Sequence, residues 1–211
     1  MKQQRKNRTD LTKGRRHTAI HEAGHAVAYW SFGCLPYGVQ LASIPGQPII
    51  DRHGREVRAH GLVEASFFSP IDSLDTFPHA VKGISVRRAQ IEAICAYAGP
   101  VAEARARKTA LLNVLWTYGT DDYKRVMTVV DWMNLDTARK DQVFEIVDWA
   151  ARRIMTEYRD AVNALADVIL KERQVDGSRI DQIIVRATGR QRPIDGDVPA
   201  WLEPHLVDAI S

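Results

Sequence analysis

The sequence predicts a mainly α-helical domain with a small antiparallel β-sheet beside its first long helix. Three observations point there. Helical periodicity recurs in four stretches between Thr18 and Lys171. Only two short runs, Val39–Ile44 and Gly61–Phe68, read as strands. Between those two runs lie Pro45-Gly-Gln-Pro48 and Asp51-Arg-His-Gly-Arg55, which carry turn chemistry.

Composition bounds the rest. At 211 residues the chain is long enough for a proper core, and 45% hydrophobic with 26% charged residues is ordinary for a globular protein. No apolar run approaches the ~20 residues that span a bilayer, and no apolar segment follows the basic N-terminus as a secretory signal requires. Cys34 and Cys95 are the only cysteines, so neither a disulfide framework nor a Cys-rich metal site is expected. A cytoplasmic location is the default expectation.

The net charge of +3 is uneven. Seven basic residues crowd the first sixteen positions against Asp10 alone, leaving 22 basic and 25 acidic side chains elsewhere. Residues 1–14 read as a basic, flexible arm, 15–185 as the folded domain, and 186–211 as a polar tail with a short apolar segment from Trp201 to Ile210. No nucleic-acid motif accompanies the arm, so nucleic acid is not the expected partner.

In order, Thr9, Asp10 or Thr12 is expected to cap a first helix that ends at Gly33. Thr18–Trp30 is its amphipathic part, and Gly24 inside it implies a close neighbour, since Gly costs about 1 kcal/mol there relative to Ala. The two strands follow; an edge strand there could take a peptide by strand addition, or the sheet could only brace the helix. Ser69–Gly83 reads as irregular, part of a cleft wall. From Ser85 to Arg107 the chain is helical again, with Ile91, Cys95, Ala98 and Ala102 as a core stripe and Pro100 expected to kink or interrupt it. Ala96, Gly99 and Glu103 form a flank of small residues ending in a carboxylate.

Lys108–Gly119 reads as a connection, and Thr120 as the N-cap of a helix over Asp121–Met133. Asp141–Lys171 is two helices or one bent helix, and Val175–Ile184 a turn followed by a short helix.

The chemistry concentrates in His21-Glu-Ala-Gly-His25. On an α-helix, residues four apart lie about 40° from each other and roughly 6 Å along the axis, so both imidazoles leave one face within reach of a single divalent ion. Glu22 projects beside that face, where it can act as a general base on a water. This is the HExxH pattern of zinc peptidases. The competing reading is a helix that merely carries these residues, but a charged Glu between two half-buried His has little value to a core.

Catalytic zinc usually takes three protein ligands. The candidates for the third are His17, His53, His60, His79, His205, Glu103, Asp121 and Asp122. His53 and His60 fall in loops that face solvent. Glu103 is attractive because HExxH enzymes can draw a Glu from a later helix. Periodicity favours Asp122, which shares a face with Val126, Val129 and Met133, whereas Asp121 faces with Arg125 and reads as solvated or capping. A simple N-terminal helix charge remains the other reading of Asp122.

Four stretches together resemble one family, the peptidase domain of FtsH-type ATP-dependent zinc metalloproteases. His21-Glu-Ala-Gly-His-Ala26 looks like its zinc motif, and Ala98-Gly-Pro-Val-Ala-Glu103 is similar to its Gly-Gly-Arg-x-Ala-Glu segment. Gly119-Thr-Asp-Asp-Tyr-Lys124 resembles its Asn-Asp helix start, and Ala151–Ile184 its C-terminal helical region. The likeness covers about residues 15–185. It implies Zn2+ held by His21, His25 and Asp122, Glu22 as catalytic base, and Gly61, Leu62 and Val63 as an edge strand near a polypeptide substrate. Glu103 is expected to orient a ligand His from behind.

Pro100 replaces the family's Gly-Arg pair, and Asp121 stands where the family prefers Asn. No ATP-binding module and no membrane anchor are seen, so ATP-independent action is expected and self-association stays open. The function expected is zinc-dependent endopeptidase. The alternative is a proteolytically silent metal-binding regulatory or adaptor module.

Overall fold

The computed structural model describes residues 2–43, 47–65 and 86–206, with side chains from Gly14 onward. Among these the chain is mainly helical, with seven α-helices and a small antiparallel three-stranded sheet. Helix α1 is Lys2–Ser31. It begins at Lys2 rather than at a cap among Thr9, Asp10 and Thr12; the Lys, Arg and Gln of this segment are good helix formers, and nothing there breaks the run. It ends before Gly33, whose φ of +83° is open to glycine at low cost, with Gly33 N–H and Cys34 N–H donating to the Trp30 and Tyr29 carbonyls.

From Ala19 to Ser31 every residue of α1 is buried, which corrects the amphipathic reading of this stretch. It is a central helix wrapped by its neighbours, and His21, His25, Tyr29 and Trp30 find polar partners on them.

The closest neighbour is α2 (Val86–Arg107). A Cβ at Gly24 would lie 2.8 Å from Ala102 Cβ and 2.9 Å from the Ala98 carbonyl oxygen, so glycine is what allows the two helices to approach this closely. The core stripe of α2 is buried at Ile91, Cys95, Ala98 and Ala102. Pro100 does not interrupt it: the helix runs through to Arg107. The ring removes only the donor that the Ala96 carbonyl would have had.

The segment expected as a connection contains α3 (Leu111–Thr117), formed because Val114 and Leu115 find cover on the body. Helix α4 (Thr120–Trp132) starts at Thr120, with Gly119 at the N-cap position. Thr120 is not the cap; its hydroxyl donates to the Leu115 carbonyl instead. Val126, Val129 and Met133 are buried as the periodicity indicates. The stretch beyond resolves into two helices, α5 (Thr137–Glu157), capped by Asp136, and α6 (Arg159–Glu172), which breaks from it at Tyr158. Helix α6 packs Ala161, Leu165 and Ile169 into the same core as α1.

Strands β1 (Gly38–Leu41) and β4 (Gly61–Glu64) pair antiparallel, Gly38 opposite Glu64 and Leu41 opposite Gly61. A minor hairpin, β2 (Ile49–Ile50) with β3 (Glu56–Val57), lies between them in sequence. The third strand of the sheet is β5 (Gln174–Asp176), on the far side of β1. Sequence periodicity assigned this segment to a turn, because three residues are too few to show alternation. Asp176 then caps α7 (Gly177–Thr188) by accepting from Arg179 N–H.

In the tail, Leu202 is fully buried and Trp201 meets Trp149 edge-to-face at 5.2 Å. The outer parts of both expected strands (Ile44, Ser66–Phe68), the turn at Pro45-Gly46, the Ser69–Gly83 cleft wall, His79 and Val207–Ile210 lie outside the described residues. Among the described residues no helix is long and apolar enough to cross a membrane.

Candidate metal centre

Three helices converge on one buried point. His21 and His25 come from α1, Glu103 and the Cys95 carbonyl from α2, and Asp122 from the first turn of α4. The Nε2 atoms of the two histidines are 3.0 Å apart. Asp122 places Oδ2 3.0 Å from His21 Nε2 and Oδ1 3.2 Å from His25 Nε2. Both imidazoles are nearly inaccessible, and about a quarter of the Asp122 side chain is exposed. Among the described residues this is the one group of three or more His, Cys, Asp or Glu side chains compact enough to hold a metal ion.

The remaining ring nitrogens define the chemistry of the group. His21 Nδ1 lies 2.9 Å from Glu103 Oε2, and His25 Nδ1 lies 2.9 Å from the Cys95 carbonyl oxygen. Glu103 is ionised: burial works to raise its pKa, but His21 and Arg107 hold it below the ordinary carboxylate range. A carboxylate and a carbonyl only accept, so each Nδ1 must be the donor. With neutral rings, both Nε2 lone pairs then face one another and the Asp122 carboxylate, three acceptors around a point with no donor among them. A cation resolves that arrangement. The separations of 3.0–3.2 Å are a little shorter than the edges of about 3.3–3.4 Å in a ligand tetrahedron with bonds of about 2.0–2.1 Å, so the ligand atoms need to spread only slightly to take an ion.

In the metal-free protein a proton is the available substitute. Burial lowers the His21 pKa, but the Asp122, Glu103 and Glu22 carboxylates together outweigh this, Asp122 foremost, and raise it well above the ordinary value. Asp122 is held well below the usual carboxylate range by His25 and His21, against the opposing effect of burial. The pair is strongly polarised toward binding positive charge.

Glycines set the fine positions. A Cβ at Gly99 would lie 2.3 Å from His25 Nε2, so the imidazole rests directly on the α2 backbone. The flank of Ala96, Gly99 and Glu103 therefore makes room for one ligand ring and carries the carboxylate that orients the other. Arg107, one turn further, donates from Nε to Glu103 Oε1 at 2.6 Å and fixes that carboxylate in turn.

Glu22 is buried beside the group but outside it. Burial raises its pKa, partly offset by His21 and His25. It lies under β4, and a Cβ at Gly61 would come within 2.5 Å of Glu22 Cγ and Oε1. A cleft of about 380 Å³ opens over His21, Glu22, His25 and Asp122, and Gly61, Leu62 and Val63 form one wall.

The other titratable candidates stand apart from the ligand group. Asp121 is exposed and reaches only the cleft margin, His53 sits in the loop after β2, and His205 packs against Trp149. His60, expected to face solvent, is exposed yet lines the cleft beside Gly61. Tyr29, Arg58, Tyr118 and Arg125 also line it and were not singled out from sequence. For Tyr29 a signal existed, since it lies four residues past His25 on the same helix face.

No family model matches the chain, and no curated protein matches it. What the site can do therefore rests on its own geometry.

Proposed function

We propose that the protein is a zinc-dependent endopeptidase that uses Glu22 as general base. The observation that carries this reading is the placement of Glu22. A buried carboxylate, raised in pKa and excluded from the ligand group, stands between a metal-binding triad and a sheet edge. A metal clamp alone has no use for it, which argues against the silent-module reading. The four-motif resemblance to FtsH-type peptidase domains supports the same conclusion.

His21, His25 and Asp122 would hold the zinc; two imidazoles and a carboxylate with oriented Nδ1 donors suit that ion. Zinc there would supply Lewis acidity, polarising a carbonyl and bringing the pKa of a water to about 7. Glu22 takes the water's proton and delivers it to the leaving amine, a task suited to a carboxylate whose burial has made it more basic. Glu103 keeps the His21 tautomer fixed while Glu22 changes charge. The outer edge of β4 would offer its free backbone groups to an extended peptide.

The test is Glu22→Gln. The variant should bind one zinc per chain like the parent and fail to cut unfolded casein. Casein cleavage at the parental rate by the variant would remove Glu22 as the base. Zinc binding by the parent without any turnover would favour the regulatory module.

A further inference from the structure

One helical turn from the metal group, the same three helices build a second polar cluster that the reaction above does not use. Tyr29 lies one turn past His25 on α1, Glu92 one turn before Ala96 on α2, and Arg125 one turn past Asp122 on α4. Glu92 is fully buried; its Oε1 accepts from the Tyr29 hydroxyl at 2.6 Å and from the Arg125 guanidinium. Buried ion pairs seldom stabilise a fold more than apolar side chains of the same volume would. Here the pair instead anchors a guanidinium at the cleft. Arg125 keeps about a third of its side chain exposed.

Arg125 stands where two cavities meet. It shares Val57, Leu62 and Val63 as common walls of the main cleft and of a neighbouring hollow of about 170 Å³. The hollow's own carboxylates are already engaged: Asp51 with Arg55, and Glu64 with the Arg52 N–H. Arg58 adds a second cation on the exposed rim of the cleft. Arg125 and the metal group line the same cleft along β4, one helical turn apart on α4, so a peptide lying along β4 over Glu22 would share that cleft with this guanidinium. Arginine's planar fork matches a carboxylate bidentately, and a charge-assisted pair of this kind is about twice as strong as a neutral hydrogen bond.

We propose that Arg125, held in place by Glu92 and Tyr29, is a specificity-determining residue that selects peptides with an acidic side chain next to the bond cut. This rests on the peptidase reading, so its test is a binding measurement that does not need turnover. Full-length protein carrying Glu22→Gln is loaded with zinc and titrated with two pools of fluorescent decapeptides. The pools have the same randomised neutral residues and differ only in a central Glu or Gln.

Anisotropy should give about tenfold tighter binding of the Glu pool. The ratio should fall to about one on adding Arg125→Gln. It should do the same with Glu92→Gln and Arg125→Gln together, which leaves no unpaired buried charge if the single variant unfolds. Arg125→Lys keeps a charge against Glu92 but loses the fork, and should leave a ratio of about three. Equal binding of the two pools by the parent, binding of neither pool, or a ratio that survives any of these substitutions in protein with a native melting profile would overturn the proposal. If the selectivity appears while the parent protein cuts nothing, the peptidase reading fails and what stands is the capture of acidic peptides by Arg125.

Discussion

Gly99→Ala is a single-methyl perturbation of the metal centre made from outside it. The added Cβ would sit 2.3 Å from His25 Nε2, 2.5 Å from Cε1 and 2.7 Å from Cδ2, all three on the metal side of the ring. Ordinary contact starts near 3.4 Å, so the imidazole or the α2 backbone must retreat by roughly 1 Å. Ligand distances in a working metal site tolerate only about ±0.2 Å. The ring cannot tilt freely either, because Nδ1 is tied to the Cys95 carbonyl. His25 should therefore be lost or badly placed as a ligand, weakening zinc by at least the 10–100-fold typical of mispositioned ligands. The metal-free fold should lose about 1–3 kcal/mol from overpacking, or very roughly 2–10 °C in melting temperature. The assay is zinc competition against a chromophoric chelator, with a thermal melt of the metal-free protein alongside. Gly14→Ala is the control on α1, since nothing lies within 4 Å of a Cβ there. It should leave zinc affinity unchanged. Parental zinc affinity in Gly99→Ala would refute the proposed packing of His25 on α2.

Two further substitutions separate the roles of the surrounding residues. Glu103→Gln removes the charge that fixes the His21 tautomer and should weaken zinc about 10–100-fold in the same competition assay; unchanged affinity would show that Glu103 does not orient His21. Gly61→Ala pushes on the Glu22 carboxylate at 2.5 Å, the three nearest atoms to the added methyl all belonging to Glu22. It should leave zinc stoichiometry intact and lower casein turnover, tenfold or more if the base moves by even a fraction of an ångström. Equal turnover would detach Glu22 from the reaction or from its contact with β4.

The parts of this site that could be read from the sequence are those in which one helix carries the information. His21 and His25 needed only the four-residue repeat. Asp122 was favoured by the face it shares with Val126, Val129 and Met133, which alone left a plain helix-start charge as the other reading until the family resemblance pointed to it as well. Gly24 announced a close neighbour, and Ala98 and Ala102 proved to be that neighbour. The parts that could not be read depend on pairings across large sequence separations. Strand β5 exists because Gln174–Asp176 lies against Gly38–Gln40, more than a hundred residues earlier, and three residues show no period of their own. The link from Glu92 to Tyr29 and Arg125 joins three helices, and no single helix marks Glu92 as anything but a misplaced charge. Helix α3 was hidden because its seven residues are mostly exposed, Leu112 and Trp116 among them. Pro100 misled in the other direction: a helix anchored by buried residues on both sides of the proline tolerates one lost hydrogen bond.

Two histidines of α1 and the first-turn aspartate of α4 are proposed to form one zinc site, with Glu22 beside it as the base. A crystal structure of the protein loaded with one equivalent of zinc, with the metal located by anomalous scattering at the zinc edge, tests it most directly. A single peak is expected, bonded to His21 Nε2, His25 Nε2 and an Asp122 carboxylate oxygen, with Glu22 one water away and Glu103 still on His21 Nδ1. A peak bonded to Glu103 in place of Asp122, or to Glu22 itself, would contradict it.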